Sequence, residues 1–242
     1  MIHIVVADRD PMSNSHKTFT LVARLVHQNM LFISLVGSSV FCLCLPAMRI
    51  AFTHHSTYSF MIRNLILAWP ALISAYIVHK IYQKQRNGIR IAAVICSGIW
   101  LVFLPNAPYL ITDFVHFSPR DDISLWFDLI MFAAFAVTGL FYGCISIYWM
   151  QQLVTKTMGT AAGWLFVTGV SVLSSFGIYL GRFQRWNSWD LISHPLGLVE
   201  DVWQNFRHPI AHFQMFVFSA LFTVFLLSTY LVVSALAHLS RE

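Results

Sequence analysis

The stretch WFDLIMFAAFAVTGLFYGCISIYWM, Trp126–Met150, runs for 25 residues with a single charged side chain, Asp128, close to its start. About 20 predominantly apolar residues let a helix cross the hydrocarbon core of a bilayer, so the segment reads as a membrane span. Working outward, five more segments qualify: Met30–Met48, Phe60–Tyr82, Ile89–Leu104, Ala161–Leu180 and Phe213–Leu239. Composition agrees. Of the 242 residues 57% are hydrophobic and 10% charged, where a soluble domain carries roughly 45–50% apolar and about 25% charged residues. So few charges cannot dress a water-facing surface around so much apolar side chain. The expected fold is all-α: a polytopic integral membrane protein, a bundle of six transmembrane helices.

Short polar stretches separate the spans, so residues 28–242 are expected to pack as one six-helix domain behind a polar cytoplasmic extension, residues 1–27. Asp8, Asp10, Pro11, Ser13 and Asn14 make that extension a poor signal-peptide start, and the first span reads as a retained signal-anchor. A short amphipathic helix lying on the membrane surface fits His16–His27. Orientation follows the Lys/Arg bias of the loops. Arg9, Lys17, Arg24, Lys80, Lys84, Arg86, Arg90, Lys156 and Arg241 fall on the side of both termini. Arg49, Arg63, Arg120, Arg182, Arg185 and Arg207 fall on the other. Nine against six places both termini in the cytoplasm and the two long loops outside.

This topology accounts for the formal charge of +5, and no Lys/Arg tract is present of the kind that tracks a phosphate backbone, so no nucleic-acid partner is expected. Cys42, Cys44, Cys96 and Cys144 all lie inside apolar runs and read as inert buried thiols rather than a disulfide framework. Small-xxx-small spacings occur as Gly139–Gly143, Gly159–Gly163 and Gly177–Gly181, and the first and third lie on spans, where they let helices approach closely.

Polar information gathers in two stretches on the outer side. In LPNAPYLITDFVHF, Leu104–Phe117, two prolines end the third span, and Asn106 between them is placed to satisfy backbone groups that the break frees. Asp113 and His116 follow three apart, so they share a face if the segment is helical. Their neighbours are apolar, and an acid in such surroundings is either paired or functional. In YLGRFQRWNSWD, Tyr179–Asp190, the residues Arg182, Arg185 and Trp189 recur at helical spacing, with Trp186 and Asp190 in the adjoining stripe. Arginines beside tryptophans at a membrane face suit bidentate contact with a phosphate or carboxylate. Arg182, Arg185, Trp186, Asn187, Trp189 and Asn106 are therefore the candidates for an anionic ligand.

Two further readings of these stretches stay open. Asp113, His116, His194, His208 and His212 are possible ligands of zinc or a similar divalent metal, which needs three protein ligands and an open position for catalysis. Alternatively Asp113 and Asp190 pair with the arginines and pin the two outer loops together, as structural or catalytic acids. Arg63, one turn inside the second span, either snorkels outward or joins that pairing.

LPNAPYLITDFVHF and GRFQRWNSWD resemble the signatures of a family of uncharacterised bacterial multi-pass membrane proteins, defined only as a domain of unknown function, over roughly Leu31 to Leu239. The resemblance implies a polytopic protein of the bacterial inner membrane and transfers no mechanism. Three function classes follow. The first is a membrane protein whose outer polar pocket binds an anionic lipid head group or lipid-linked phosphate. The second is a metal-assisted hydrolase or transferase acting on such a lipid. The third, a transporter, ranks last, because the span centres carry almost no ionisable residues and no internal repeat is visible.

Overall fold

The structure, a computed structural model, describes the backbone of residues 11–83, 90–119 and 123–239, and the side chains of 30–83, 91–119 and 123–237. Among the described residues there is no strand. The helices are α1 (Pro11–Thr53), α2 (Phe60–Gln83), α3 (Arg90–Phe103), α4 (Asn106–Tyr109), a 3-10 segment (Leu110–His116), α5 (Leu125–Met158), α6 (Thr160–Phe183), α7 (Asp190–Ser193), α8 (Pro195–Arg207) and α9 (Phe213–Leu239). Six stretches are long and apolar enough to span a bilayer, lying in α1, in α2, in α3 through the 3-10 segment, and in α5, α6 and α9.

The six expected spans are present; the helices of the first, second, fourth and fifth reach beyond the expected bounds, α9 keeps them, and α3 is described over Arg90–Phe103 against the expected Ile89–Leu104. Hydropathy sees only the apolar part of a helix. The fourth runs on through Gln151–Met158 until Gly159, whose φ of 92° suits glycine and turns the chain into α6. Residues 1–10 of the expected extension lie outside the described residues, and 11–27 belong to the same unbroken helix as the first span rather than to a separate one.

α5 is the axis of the bundle. It packs against α1, α2, α4, the 3-10 segment, α6 and α9, and 67% of its most apolar window is buried, against 11% for α9. Ile91, Val94 and Ile95 on α3 and Leu221 and Val224 on α9 are exposed, as lipid-facing positions should be.

The α3–α4 break decides where polar groups gather. Pro105 and Pro108 lack N–H groups, so carbonyls of the preceding turn lose their helical donors. The Asn106 side chain donates to the Phe103 carbonyl at 3.2 Å and the Ser188 hydroxyl to the Val102 carbonyl at 3.3 Å. Two glycine pairs receive the kink. A Cβ at Gly139 would run into the Ala107 carbonyl oxygen, and Gly143 lies against Pro108; across the break, Gly177 faces Pro105 and Gly181 faces the Tyr109 ring. The first and third small-xxx-small motifs thus hold the proline-interrupted segment around α4 between α5 and α6. Gly163 of the second lies against Thr155.

At the same end of the bundle, Arg49 near the end of α1 meets Asp128 in the first turn of α5. Nε donates to Oδ1 at 2.8 Å and Nη2 to Oδ2 at 3.3 Å, with side chains only 1% and 2% exposed. The guanidinium also lies over the Tyr58 ring, 4.8 Å from its centroid. Removing one partner of a buried pair strands the other charge, at about 3–5 kcal/mol. Asp128→Ala should lower the unfolding free energy of the detergent-solubilised protein by about that much, and Arg49→Met with Asp128→Leu should recover most of the loss; circular dichroism during denaturation checks both.

Candidate functional site

Asp113, in the 3-10 segment, is fully buried and is the acceptor at the centre of a polar hub. Asn64 of α2 donates from Nδ2 to both carboxylate oxygens, at 3.1 and 2.9 Å. Arg182 in the last turn of α6 donates from Nη2 to Oδ1 at 2.6 Å. The same guanidinium donates to the Thr112 hydroxyl from Nε at 2.9 Å and Nη2 at 2.6 Å, and lies 4.3 Å from the centroid of the Tyr109 ring. Thr112 in turn donates to the Tyr109 carbonyl at 2.7 Å. His116 Nε2 is 3.0 Å from Arg182 Nη1. A guanidinium has no acceptor, so Nε2 must accept, and the ring proton sits on Nδ1. Hence α2, the 3-10 segment and α6 meet at one carboxylate.

Beside the hub opens a cleft of about 230 Å³ between α2, the α3–α4 break and the chain after α6. Arg63, Asn64, Asn106, Tyr109, Asn187 and Ser188 supply its polar lining, and Leu67, Leu180, Leu191 and Leu198 are among its apolar walls. Asn106 donates to the Ser188 hydroxyl at 2.7 Å, which ties the break to the post-α6 loop. Trp186 also lines the cleft, its indole N–H donating to Asp201 of α8 at 3.0 Å. The Arg63 side chain is exposed and makes no ion pair among the described residues.

Not all the expected residues come together. α6 stops at Phe183, and Arg185 sits at φ 62°, a left-handed residue that reverses the chain and brings the Trp186 N–H back to the Leu180 carbonyl at 3.2 Å. The helical stripe expected for Arg182, Arg185 and Trp189 is therefore broken after its first member. Arg185 and Trp189 are exposed and neither lines the cleft. Asp190 bonds the Asn187 backbone N–H at 2.8 Å, the Asn187 amide at 3.3 Å and Ser193 at 3.2 Å rather than an arginine. That backbone N–H holds its carboxyl below the usual carboxylate range, so the loop keeps its anionic anchor as pH falls until this lowered value is reached.

The metal set is not assembled either. Among the described residues no three His, Cys, Asp or Glu side chains converge on a cation-sized site. Asp113 is occupied by three donor contacts, and the lone pair His116 would offer a metal accepts from Arg182. His194 is exposed beside Ser193, and His208 and His212 occupy a single turn before α9, joined by the His212 N–H to His208 carbonyl bond at 3.1 Å. Asn64 and the Arg49–Asp128 pair went unread in the sequence. The signal for each is a polar residue near a span end, which in an apolar setting demands a partner.

These features define a polytopic helical membrane protein with a buried carboxylate hub beneath a polar cleft. A sequence-family model described as a protein of unknown function (DUF1361) matches residues 63–229, and the chain belongs to that family. The match starts inside α2, so it is narrower than the stretch expected from Leu31 to Leu239, yet it holds both the hub and the cleft. No curated protein and no solved structure matches the chain.

Asp113 and Arg182 should be strongly coupled. In a double-mutant cycle on Asp113→Ala and Arg182→Ala, the two single losses of stability should sum to more than the double variant's loss, by about 0.5–3 kcal/mol. Denaturation midpoints of the four proteins in one detergent measure it, and additive losses would mean the pair does not act as a unit.

Proposed function

We propose that this protein is a membrane-embedded binding protein whose cleft takes the phosphate-bearing head group of an anionic lipid or lipid-linked phosphate. The observation that carries the reading is the division of labour between two arginines. Arg182 is paired with Asp113, while Arg63 stands in the cleft wall with no ion pair among the described residues. The cleft also holds amides at Asn64, Asn106 and Asn187 and the Ser188 hydroxyl, and apolar walls for the adjoining part of an amphiphile. A guanidinium among neutral donors suits a phosphate monoanion, and its hydrogen bonds to charge are each worth about 1.5–3 kcal/mol. Arg182 then acts as the pin that holds the site, and Arg63 takes the ligand role the sequence suggested for Arg182 and Arg185.

The Lys/Arg bias supports a cleft on the outer face of a bacterial cell membrane, with Lys80 at the cytoplasmic end.

Native mass spectrometry of the detergent-purified protein tests the reading. Wild type should retain phosphatidylglycerol in preference to phosphatidylcholine. Arg63→Gln should weaken that retention about 10-fold or more, the equivalent of about 1.4 kcal/mol, while Arg185→Gln leaves it unchanged. Equal retention of the two lipids, or no loss in Arg63→Gln, overturns the proposal. Inorganic phosphate and glycerol 3-phosphate form the second arm: displacement of the lipid by either at low concentration would assign the site to a soluble phosphate.

A further inference from the structure

The connection between α6 and α9, residues 184–212, carries an amphipathic helix with an unusual division of its surface. Read around α8, the residues fall into three stripes, each at helical spacing. Leu198, Asp201 and Asn205 form the first: Leu198 lines the cleft, Asp201 accepts from the Trp186 indole, and Asn205, 1% exposed, exchanges two amide hydrogen bonds with Gln184 at 3.0 and 3.3 Å. Glu200, Gln204 and Arg207 form the second, polar and exposed. Leu196, Val199 and Trp203 form the third, 84%, 63% and 64% exposed, and it ends at Phe206, 54% exposed, whose ring also meets Phe176 of α6 and Phe216 of α9 at centroid distances of 5.8 and 5.7 Å.

A helix on the surface of a protein in water needs two faces, one toward the protein and one toward solvent. A third face, of exposed Leu, Val and Trp, needs a third medium. Both ends of this connection are fixed to membrane-spanning helices, at Phe183 and at Phe213, which holds α8 close to the level where those spans leave the hydrocarbon. Beyond α8, Ile210 and Phe213 are exposed, as are Val217, Leu221 and Val224 of α9. The Phe206 ring meets that of Phe216, which sets the exposed face of α8 beside a span with lipid-facing residues. Trp203 on the α8 face matches the enrichment of tryptophan at membrane interfaces.

We propose that α8 lies flat in the interfacial layer of the bilayer, seated on Leu196, Val199 and Trp203, with Glu200, Gln204 and Arg207 in water and Leu198, Asp201, Asn205 and the inner side of Phe206 on the bundle. The helix is then a lipid-seated wall of the cleft. Its depth in the interface sets where Leu198 stands and, through Asp201, where Trp186 stands; Gly197 lets the helix close onto the Trp186 ring, where a Cβ would lie 3.4 Å from it. This seat does not depend on what the cleft binds.

The test is a collision-accessibility scan by electron paramagnetic resonance in phosphatidylcholine–phosphatidylglycerol nanodiscs. Spin labels go one at a time on Leu196→Cys, Val199→Cys, Glu200→Cys, Trp203→Cys, Gln204→Cys and Arg207→Cys, in a full-length background with Cys42, Cys44, Cys96 and Cys144 replaced by alanine. Leu198, Asp201, Asn205 and Phe206, which tie α8 to the bundle, are left untouched. Labels at 196, 199 and 203 should collide with oxygen in preference to a water-soluble nickel chelate, at a depth of about 5–10 Å below the headgroup boundary. Labels at 200, 204 and 207 should show the reverse. Preference for the nickel chelate at all six positions would place the helix in water. Protection of 196, 199 and 203 from both reagents would mean that protein covers the stripe, and a short label-to-label distance in singly labelled samples would identify a second copy. Either result overturns the seat in lipid and leaves the lipid-retention result at Arg63 to stand or fall separately.

Discussion

A carboxylate buried in an apolar bundle forces its surroundings into place. Ionised, Asp113 loses several kcal/mol of hydration unless donors and a counter-charge replace the water. Here they come from separate spans: Asn64 from α2, Arg182 from α6, with Thr112 and Tyr109 of the broken segment bracing the guanidinium. Three residues that line the cleft are tied directly to that hub. Arg63 precedes Asn64, Gly181 precedes Arg182, and Tyr109 both lies against the guanidinium and lines the cleft. Holding the carboxylate therefore holds the cleft, and a shift of α2 or α6 that opened one would strip donors from the other.

The backbone break is the second half of the same device. Non-helical backbone at membrane depth is tolerated where it is buried in protein and its freed groups find partners. Gly139, Gly143, Gly177 and Gly181 provide the burial, and Asn106 and Ser188 supply donors. Because the Ser188 hydroxyl also accepts from Asn106, the loop after α6 is fastened to the break at the mouth of the cleft.

How much of this was legible in the sequence depended on whether the signal was local. Apolar length fixes spans one at a time, so all six were readable, and Pro105 and Pro108 announced the end of α3. Asn106 was readable too, because its task lies within one turn of its own position. The glycine pairs were recognisable as close-packing sites, but not as the two walls around one kink, since that requires knowing which helices are neighbours. Arg182 against Asp113 was one of two open assignments, and the choice came from the burial of both side chains. The stripe through Arg185 and Trp189 misled for a definite reason. Helical periodicity was carried past Phe183, where a left-handed arginine, without the glycine that usually marks such a stop, ends the helix. The histidines misled because spacing along a chain says nothing of which lone pairs are already taken, as that of His116 is.

The arginines near this end of the bundle show how position sorts like residues. Arg49 and Arg182 are drawn into the protein, each against a buried aspartate and each over a tyrosine ring. A cation at that depth is tolerable only with its counter-charge supplied by the same chain. Arg63 also lies in an apolar span, within its first turn, yet the acid nearest in the hub is spent on Asn64 and Arg182. Its charge is compensated by none of the described residues, and it faces a cleft rather than the bundle core. Because the Arg63 side chain is exposed, its charge does not need a counter-charge from the chain as those of Arg49 and Arg182 do. Arg63 thus stands one residue from the hub and outside it, with its guanidinium on the cleft where the proposed anionic ligand would meet it.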